Sequence, residues 1–139
     1  MTQRHMSDIV RHQRPVTLPP SATVKQACEC MRDLGIGAIV VTQEGRPIGI
    51  FTGRDAVCRV LAHGRDAAST KLAEVMTAKP DAMAPGKTAV EALQLMQDGG
   101  YRHLLVMDKG KLVGVVSKGD FRGIELDRLD ERTGMWERV

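Results

Sequence analysis

The chain has 139 residues, and its 20 basic and 17 acidic side chains leave a nearly balanced net charge of +3. With no basic run and only four aromatic residues, it is unlike nucleic-acid binders that stack bases and neutralise phosphates. No stretch approaches the ~20 apolar residues of a membrane span, and the polar N-terminus is no secretory signal, so we expect a cytosolic protein.

The first predicted elements are a short helical turn at 7–10 and an extended segment at 15–20, where prolines restrain the backbone. Thr23 with Gln26 three residues later is typical of a capping box, so a helix should begin there and end at Gly35. The helix should lay one apolar stripe on a sheet. That stripe comprises Val24, Ala27, Met31 and Leu34.

Two apolar runs, 38–41 and 48–51, flank a polar turn at 43–45 and predict a β-hairpin. Thr52 should then cap a second helix that runs through 56–61. The polar residues 64–74 are interpreted as a linker. Three cysteines, an odd number, are expected to be free and largely buried thiols, and the four histidines show no paired ligand spacing, so no metal site is predicted.

The same pattern recurs at an offset of 65 residues, most clearly in the stretches 49–55 and 114–120. Both read glycine, two apolar residues, a hydroxyl, two further residues and a carboxylate. The second copy has a predicted helix after Thr88, a hairpin made of 104–107 and 112–116, and a helix capped by Ser117 that runs through 121–126. The apolar stripe of the Thr88 helix comprises Ala89, Ala92, Leu93 and Met96.

This self-similarity predicts an α+β fold of two βαββα repeats that share a core, because a repeat of about 60 residues buries too little surface to be stable alone. The predicted parts are an N-terminal segment (1–14), a first repeat (15–63), a linker (64–74), a second repeat (75–126) and a charged C-terminal tail (127–139).

These features together resemble a tandem pair of cystathionine β-synthase (CBS) domains, often called a Bateman module, of the stand-alone prokaryotic type. The resemblance covers residues 7–126 and includes the Pro-rich openings, the helices after Thr23 and Thr88, the strand that begins at 101–106 and both Gly-x-x-[Ser/Thr]-x-x-Asp stretches. It implies repeats related by a pseudo-twofold axis, two clefts between them that bind adenine nucleotides or other adenosyl ligands, and dimerisation through helices. It also implies regulation and no catalysis.

The hydroxyl and carboxylate of each repeated stretch suit a nucleoside phosphate, because a carboxylate can accept hydrogen bonds from both ribose hydroxyls and a helix start favours phosphate. We therefore predict that Asp55 and Asp120 bind ribose and that Thr52 and Ser117 lie near ribose or phosphate. The same spacing also fits a capping box, in which these groups satisfy the N–H groups of their own helix.

The repeats differ in charge where their first hairpin strand begins, since Gly37 and Ala38 in the first repeat correspond to Arg102 and His103 in the second. By the resemblance, Arg102 and His103 reach the phosphates of a nucleotide whose ribose is bound by Asp55. We predict that Arg54 joins this better site and that Lys118 belongs to the Asp120 cleft, which faces Gly37 and Ala38. The adenine is expected against the extended segments, which contain Val16, Thr17 and Asp81.

The ligand could be AMP, ADP, ATP or S-adenosylmethionine, with AMP or ATP favoured, and no cofactor is required. The predicted partners are a second copy of the chain and an unidentified target protein, with no nucleic acid and no membrane. Three other interpretations stay open: an enzyme that uses His103 with Asp108 or Cys58 with His63, a ligand-free interaction module, and a metal-dependent regulator.

Overall fold

The computed structural model describes residues 4–121, which fall into two compact units. One unit runs from residue 15 to residue 80, and the other combines the residues before 15 with those after 80. Within the described residues, no helix is long and apolar enough to cross a membrane. The predicted helix through 121–126 and the tail 127–139 lie outside this part except for Phe121.

The first unit is a four-stranded sheet in the order β1-β2-β3-β4, with helices that follow and precede its strands. Its elements are β1 (Thr17–Leu18), α2 (Val24–Leu34), β2 (Ala38–Gln43), β3 (Arg46–Thr52), α3 (Gly53–Asp55), a π-helix (Ala56–Leu61), α4 (Leu72–Val75) and β4 (Thr77–Ala78). Strand β1 pairs parallel to β2, whereas β2 with β3 and β3 with β4 are antiparallel.

The second unit repeats this plan in a three-stranded sheet of order β5-β6-β7. Its elements are α1 (Met6–Ile9), β5 (Ala82–Met83), α5 (Ala89–Gly99), β6 (His103–Asp108), β7 (Lys111–Ser117) and a 3₁₀ turn (Lys118–Asp120). Strand β5 is parallel to β6, and β6 is antiparallel to β7. The predicted α+β fold of twofold-repeated elements is confirmed as far as the described residues reach.

The predicted helix starts at Thr23 and Thr88 and both hairpin turns are also confirmed, because they depend on local chemistry. The hydroxyl of Thr23 accepts a hydrogen bond from the Gln26 N–H, and that of Thr88 accepts one from the Glu91 N–H. Both helices end at a left-handed glycine. Each hairpin turn consists of two residues with positive φ, Glu44 with Gly45 and Lys109 with Gly110, as type I′ turns require.

Each of the short helices α1 and α4 directly precedes one repeat in the chain but packs on the other. The Met6 N–H donates to the Lys87 carbonyl at 2.8 Å, and the Leu72 N–H donates to the Ala22 carbonyl at 2.8 Å. Both Met6 and Leu72 are fully buried. Part of the predicted linker therefore belongs to the core of the first unit, while the predicted boundaries of the sequence repeats stay a prediction.

Three apolar side chains that the sequence places on helix stripes or in the second helix are exposed instead. Leu34 is 57% exposed at the end of α2, although Val24, Ala27 and Met31 on the same stripe are buried. Val57 and Leu61 are 56% and 71% exposed, because Ala56–Leu61 is a π-helix whose i→i+5 hydrogen bonds change which side chains share a face. The predicted stripe of α5 is confirmed, since all four of its residues are buried.

Candidate functional site

The first repeated stretch ends in a turn between β3 and α3 that is closed by hydrogen bonds between Thr52 and Asp55. Oδ2 of Asp55 accepts from the Thr52 N–H at 2.9 Å and from the Thr52 hydroxyl at 3.1 Å. The same hydroxyl accepts from the Asp55 N–H at 3.2 Å. Thr52 and Asp55 therefore form a capping box, and its hydrogen bonds orient the Asp55 carboxylate.

The other oxygen of the Asp55 carboxylate faces an arginine that the sequence analysis did not select. Oδ1 lies 3.5 Å from Nε of Arg59, and the side chains of Asp55 and Arg59 are 11% and 49% exposed. Arg59 also donates from Nη1 to the carbonyls of Met76 at 3.0 Å and Val75 at 3.4 Å. The i,i+4 spacing of Asp55 and Arg59 is the sequence signal that could have indicated this ion pair.

The second repeated stretch forms a similar turn with a different environment. Oδ2 of Asp120 accepts from the Ser117 N–H at 2.8 Å and from the Ser117 hydroxyl at 3.2 Å. The carbonyl of Asp120 accepts from Arg4 at 2.9 Å. Asp120 is exposed, whereas Asp55 is buried at 8% relative exposure, so two carboxylates at equivalent positions of the repeats differ in their access to water.

Each turn lies beside the start of the first hairpin strand of its own unit. Ala38 pairs with Thr52, and the Gly53 N–H donates to the Gly37 carbonyl at 3.2 Å. In the second unit His103 pairs with Ser117, and the Lys118 N–H donates to the Arg102 carbonyl at 2.9 Å. The structure thus brings Arg102 and His103 together with Ser117 and Lys118, while their predicted association with Asp55 stays a prediction.

Several backbone N–H groups at the two turns already have partners within the protein. The N–H groups of Gly53, Asp55 and Lys118 all donate to protein oxygens, so they are not free to bind a phosphate. The cations within the two turns, Arg54 and Lys118, are exposed. At these turns the positive charge available to a phosphate is therefore that of the Arg54 and Lys118 side chains.

The residues predicted to lie near adenine are placed at the first strand of each unit. Thr17 lies in β1, opposite Val40 of β2, and Val16 precedes it with its carbonyl accepting from the Val40 N–H. Asp81 precedes β5, and its carbonyl accepts from the Leu105 N–H at 3.1 Å. Burial raises the pKa of the Tyr101 phenol, and the carboxylate of Asp81 adds to this rise, so Tyr101 stays protonated.

The metal and thiol interpretations can be compared with the part of the chain that the structure describes. Among residues 4–121, no group of three or more His, Cys, Asp or Glu side chains could hold a metal ion. The three cysteines are free, but they are half-buried or exposed, in contrast to the expected burial: Cys28 and Cys30 are half-buried and Cys58 is exposed. Burial raises the pKa of the Cys28 thiol, which makes it a poorer nucleophile.

The chain matches a known family model and a relative of known sequence. The family model of the CBS domain matches the chain twice, at residues 6–61 and 72–126. The chain is 36% identical over 104 residues to the CBS domain-containing protein YhcV of Bacillus subtilis, an alignment that covers 75% of this chain and 74% of YhcV.

Solved structures agree. A CBS-domain protein from Burkholderia ambifaria superposes with a TM-score of 0.80 at 28% identity, covering 97% of this chain and 98% of that one. The CBS domain protein PAE2072 from Pyrobaculum aerophilum, solved in complex with AMP, superposes with a TM-score of 0.78 at 26% identity and covers 91% of this chain and 98% of its own.

Proposed function

This chain belongs to the CBS domain family as a pair of domains in tandem, and from this premise we propose that it is a regulatory module that senses an adenine nucleotide and catalyses no reaction. The observation that carries the proposal is the turn that holds the Asp55 carboxylate, in a chain whose fold matches that of the AMP-bound PAE2072. A carboxylate oriented in this way can accept charge-assisted hydrogen bonds from a ribose.

In the proposed site Thr52 orients Asp55, and Asp55 binds the ribose. Arg54 is proposed to contact the phosphates, since it is the exposed cation of the same turn. Arg102 and His103 are proposed to add positive charge to this ligand, and Ser117, Lys118 and Asp120 are proposed to form a second, weaker site. Substituting Arg102 by Ala should weaken AMP binding and leave adenosine binding unchanged, because adenosine carries no phosphate.

AMP or ATP is the proposed ligand, and the proposed output is a change in the packing of the module that an unidentified target protein recognises. A ligand can drive such a change only if it binds one arrangement better than the other. The cytosolic location stays a prediction.

The test measures the melting temperature of the protein with AMP, ADP, ATP or S-adenosylmethionine, and GMP is the control for base selectivity. A ligand that binds only the folded protein raises its melting temperature as the ligand concentration exceeds Kd. We expect AMP or ATP to raise it, GMP to have no effect, and every nucleotide to be recovered intact after incubation. A rise with all nucleotides alike would contradict adenine sensing, and a released product would contradict the absence of catalysis.

The exposed apolar side chains of the first unit favour a second candidate function, that of an interaction module. Leu34, Val57 and Leu61 are each more than half exposed, and Val57 and Leu61 lie on one π-helix. Such residues are consistent with the proposed homodimer. Light scattering should report a dimer for the wild type and a smaller species for Leu61→Glu, whereas an unchanged mass for Leu61→Glu would exclude this surface from self-association.

A further inference from the structure

Arg59 connects the proposed ribose-binding carboxylate to the residues that follow α4. Its guanidinium lies against Oδ1 of Asp55 through Nε and donates through Nη1 to the carbonyls of Val75 and Met76. Those two residues end α4 and lead directly into β4. One side chain therefore contacts both the carboxylate and the end of α4, just before β4, in the same unit.

The hydrogen bonds of Asp55 indicate which of its partners a ribose would replace. Oδ2 already accepts twice from Thr52, and these bonds close the turn at the start of α3. Oδ1 faces Arg59, whose side chain is half exposed at 49%. Water can solvate a released Arg59 guanidinium more easily than it can solvate the Thr52 N–H within the closed turn. A ribose should therefore replace Arg59 rather than Thr52 as a partner of Asp55.

The contact is specific to the first repeat. Position 124, which corresponds to Arg59 at the offset of 65 residues, is isoleucine. Asp120 therefore lacks an arginine four residues after it, and in the structure Asp120 is exposed to solvent. Arg59 also lies in the π-helix that directly follows α3, and π-helical segments are frequent at functional sites.

We propose that Arg59 is a coupling residue: a nucleotide whose ribose binds Asp55 displaces the Arg59 guanidinium and thereby releases the carbonyls of Val75 and Met76. Residues 75–79 become less protected from hydrogen exchange, and the signal of ligand binding passes to β4 and the residues that lead into the second unit. This inference rests on the proposed function, and it assigns the side chain that carries the signal.

The experiment measures hydrogen exchange of residues 72–79 and the affinities of adenosine and AMP for the wild type, Arg59→Ala and Arg59→Lys. In the wild type, adenosine should increase exchange in 75–79. In Arg59→Ala exchange should already be high without ligand and should not change further, and adenosine should bind about threefold tighter, a modest gain because the half-exposed ion pair is screened by water. Arg59→Lys should lie between the two.

Arg46→Ala is the matched control, since Arg46 is an exposed cation of the same unit at the far end of β3. It should behave as the wild type does. Nucleotide binding to the wild type with the same exchange response in Arg59→Ala would overturn the coupling role alone. A loss of AMP affinity with unchanged adenosine affinity in Arg59→Ala would also overturn it, because Arg59 would then be a phosphate ligand. No nucleotide binding to the wild type would instead overturn the proposed function itself.

Discussion

Removing the Asp55 carboxylate should destabilise the protein more than removing Asp120, although the two residues occupy equivalent positions in the repeats. Oδ2 of Asp55 accepts two hydrogen bonds from Thr52, and Oδ1 pairs with Arg59. The Asp55 side chain is only 11% exposed, so water replaces these partners poorly in Asp55→Ala. Asp120 is exposed, and water can satisfy the Ser117 groups that its loss leaves unpaired.

The expected magnitudes follow from these contacts. Hydrogen bonds to a charged group contribute about 1.5–3 kcal/mol, and an N-terminal helix cap contributes about 1 kcal/mol. Because the Asp55 bonds act as one unit, we expect a loss of about 2–3 kcal/mol in the free energy of unfolding for Asp55→Ala. For Asp120→Ala we expect about 0.5–1 kcal/mol, the range of an exposed cap.

Urea unfolding followed by circular dichroism measures both losses in one series, with the slope m checked for constancy across the variants. In a thermal scan the difference should appear as a drop of roughly 10 °C for Asp55→Ala and about 3 °C for Asp120→Ala. Equal losses, or a larger loss for Asp120→Ala, would refute the argument from burial.

Two further predictions concern the segments that precede the repeats. A methyl group at Gly114 would lie 2.5 Å from Val10 Cβ, so Gly114→Ala should lower the free energy of unfolding by about 1–3 kcal/mol, as overpacking does. Gly119→Ala is the control, because a methyl group there would make only an ordinary van der Waals contact. Similar stabilities for the two variants would contradict the packing of Val10. The N–H of Lys71 donates to Glu74 and lowers the pKa of that carboxyl below its ordinary 4.5. Because the pKa of Glu74 is lower in the folded than in the unfolded state, its ionised form stabilises the protein at pH values above the unfolded-state pKa. This stabilisation is lost as the pH falls through the folded-state pKa. Glu74→Gln should therefore be less stable than the wild type at about pH 7 and equal to it at about pH 2, and a difference that persists in acid would exclude this origin.

The features that could be predicted from the sequence are those decided by neighbouring residues. The caps at Thr23 and Thr88 and the glycine turns of the hairpins need only a few residues each, and all were confirmed. The repeat strengthens these predictions, because each element occurs twice at the offset of 65 residues. The fold class and the order of elements follow from this repeated pattern.

The rest depends on contacts between residues far apart in the chain. Helical spacing predicts the direction of the Leu34 side chain but not whether another element covers the end of its helix. Asp55 and Asp120 occupy equivalent positions in the repeated Gly-x-x-[Ser/Thr]-x-x-Asp pattern, yet one is buried and the other exposed. The bonds from Arg59 to Val75 and Met76 join residues 16 and 17 positions apart, and no local pattern indicates them.

The central claim is most directly tested by calorimetric titration of AMP into the wild type, Asp55→Asn and Asp120→Asn, because asparagine keeps the size of the side chain while it removes the charge. We predict that AMP binds the wild type and Asp120→Asn with similar affinity and that binding to Asp55→Asn falls at least tenfold. Unchanged affinity in Asp55→Asn, with all three proteins folded, would contradict the account of Asp55 as the ribose-binding residue. No binding of AMP or ATP to the wild type would contradict nucleotide sensing as a whole.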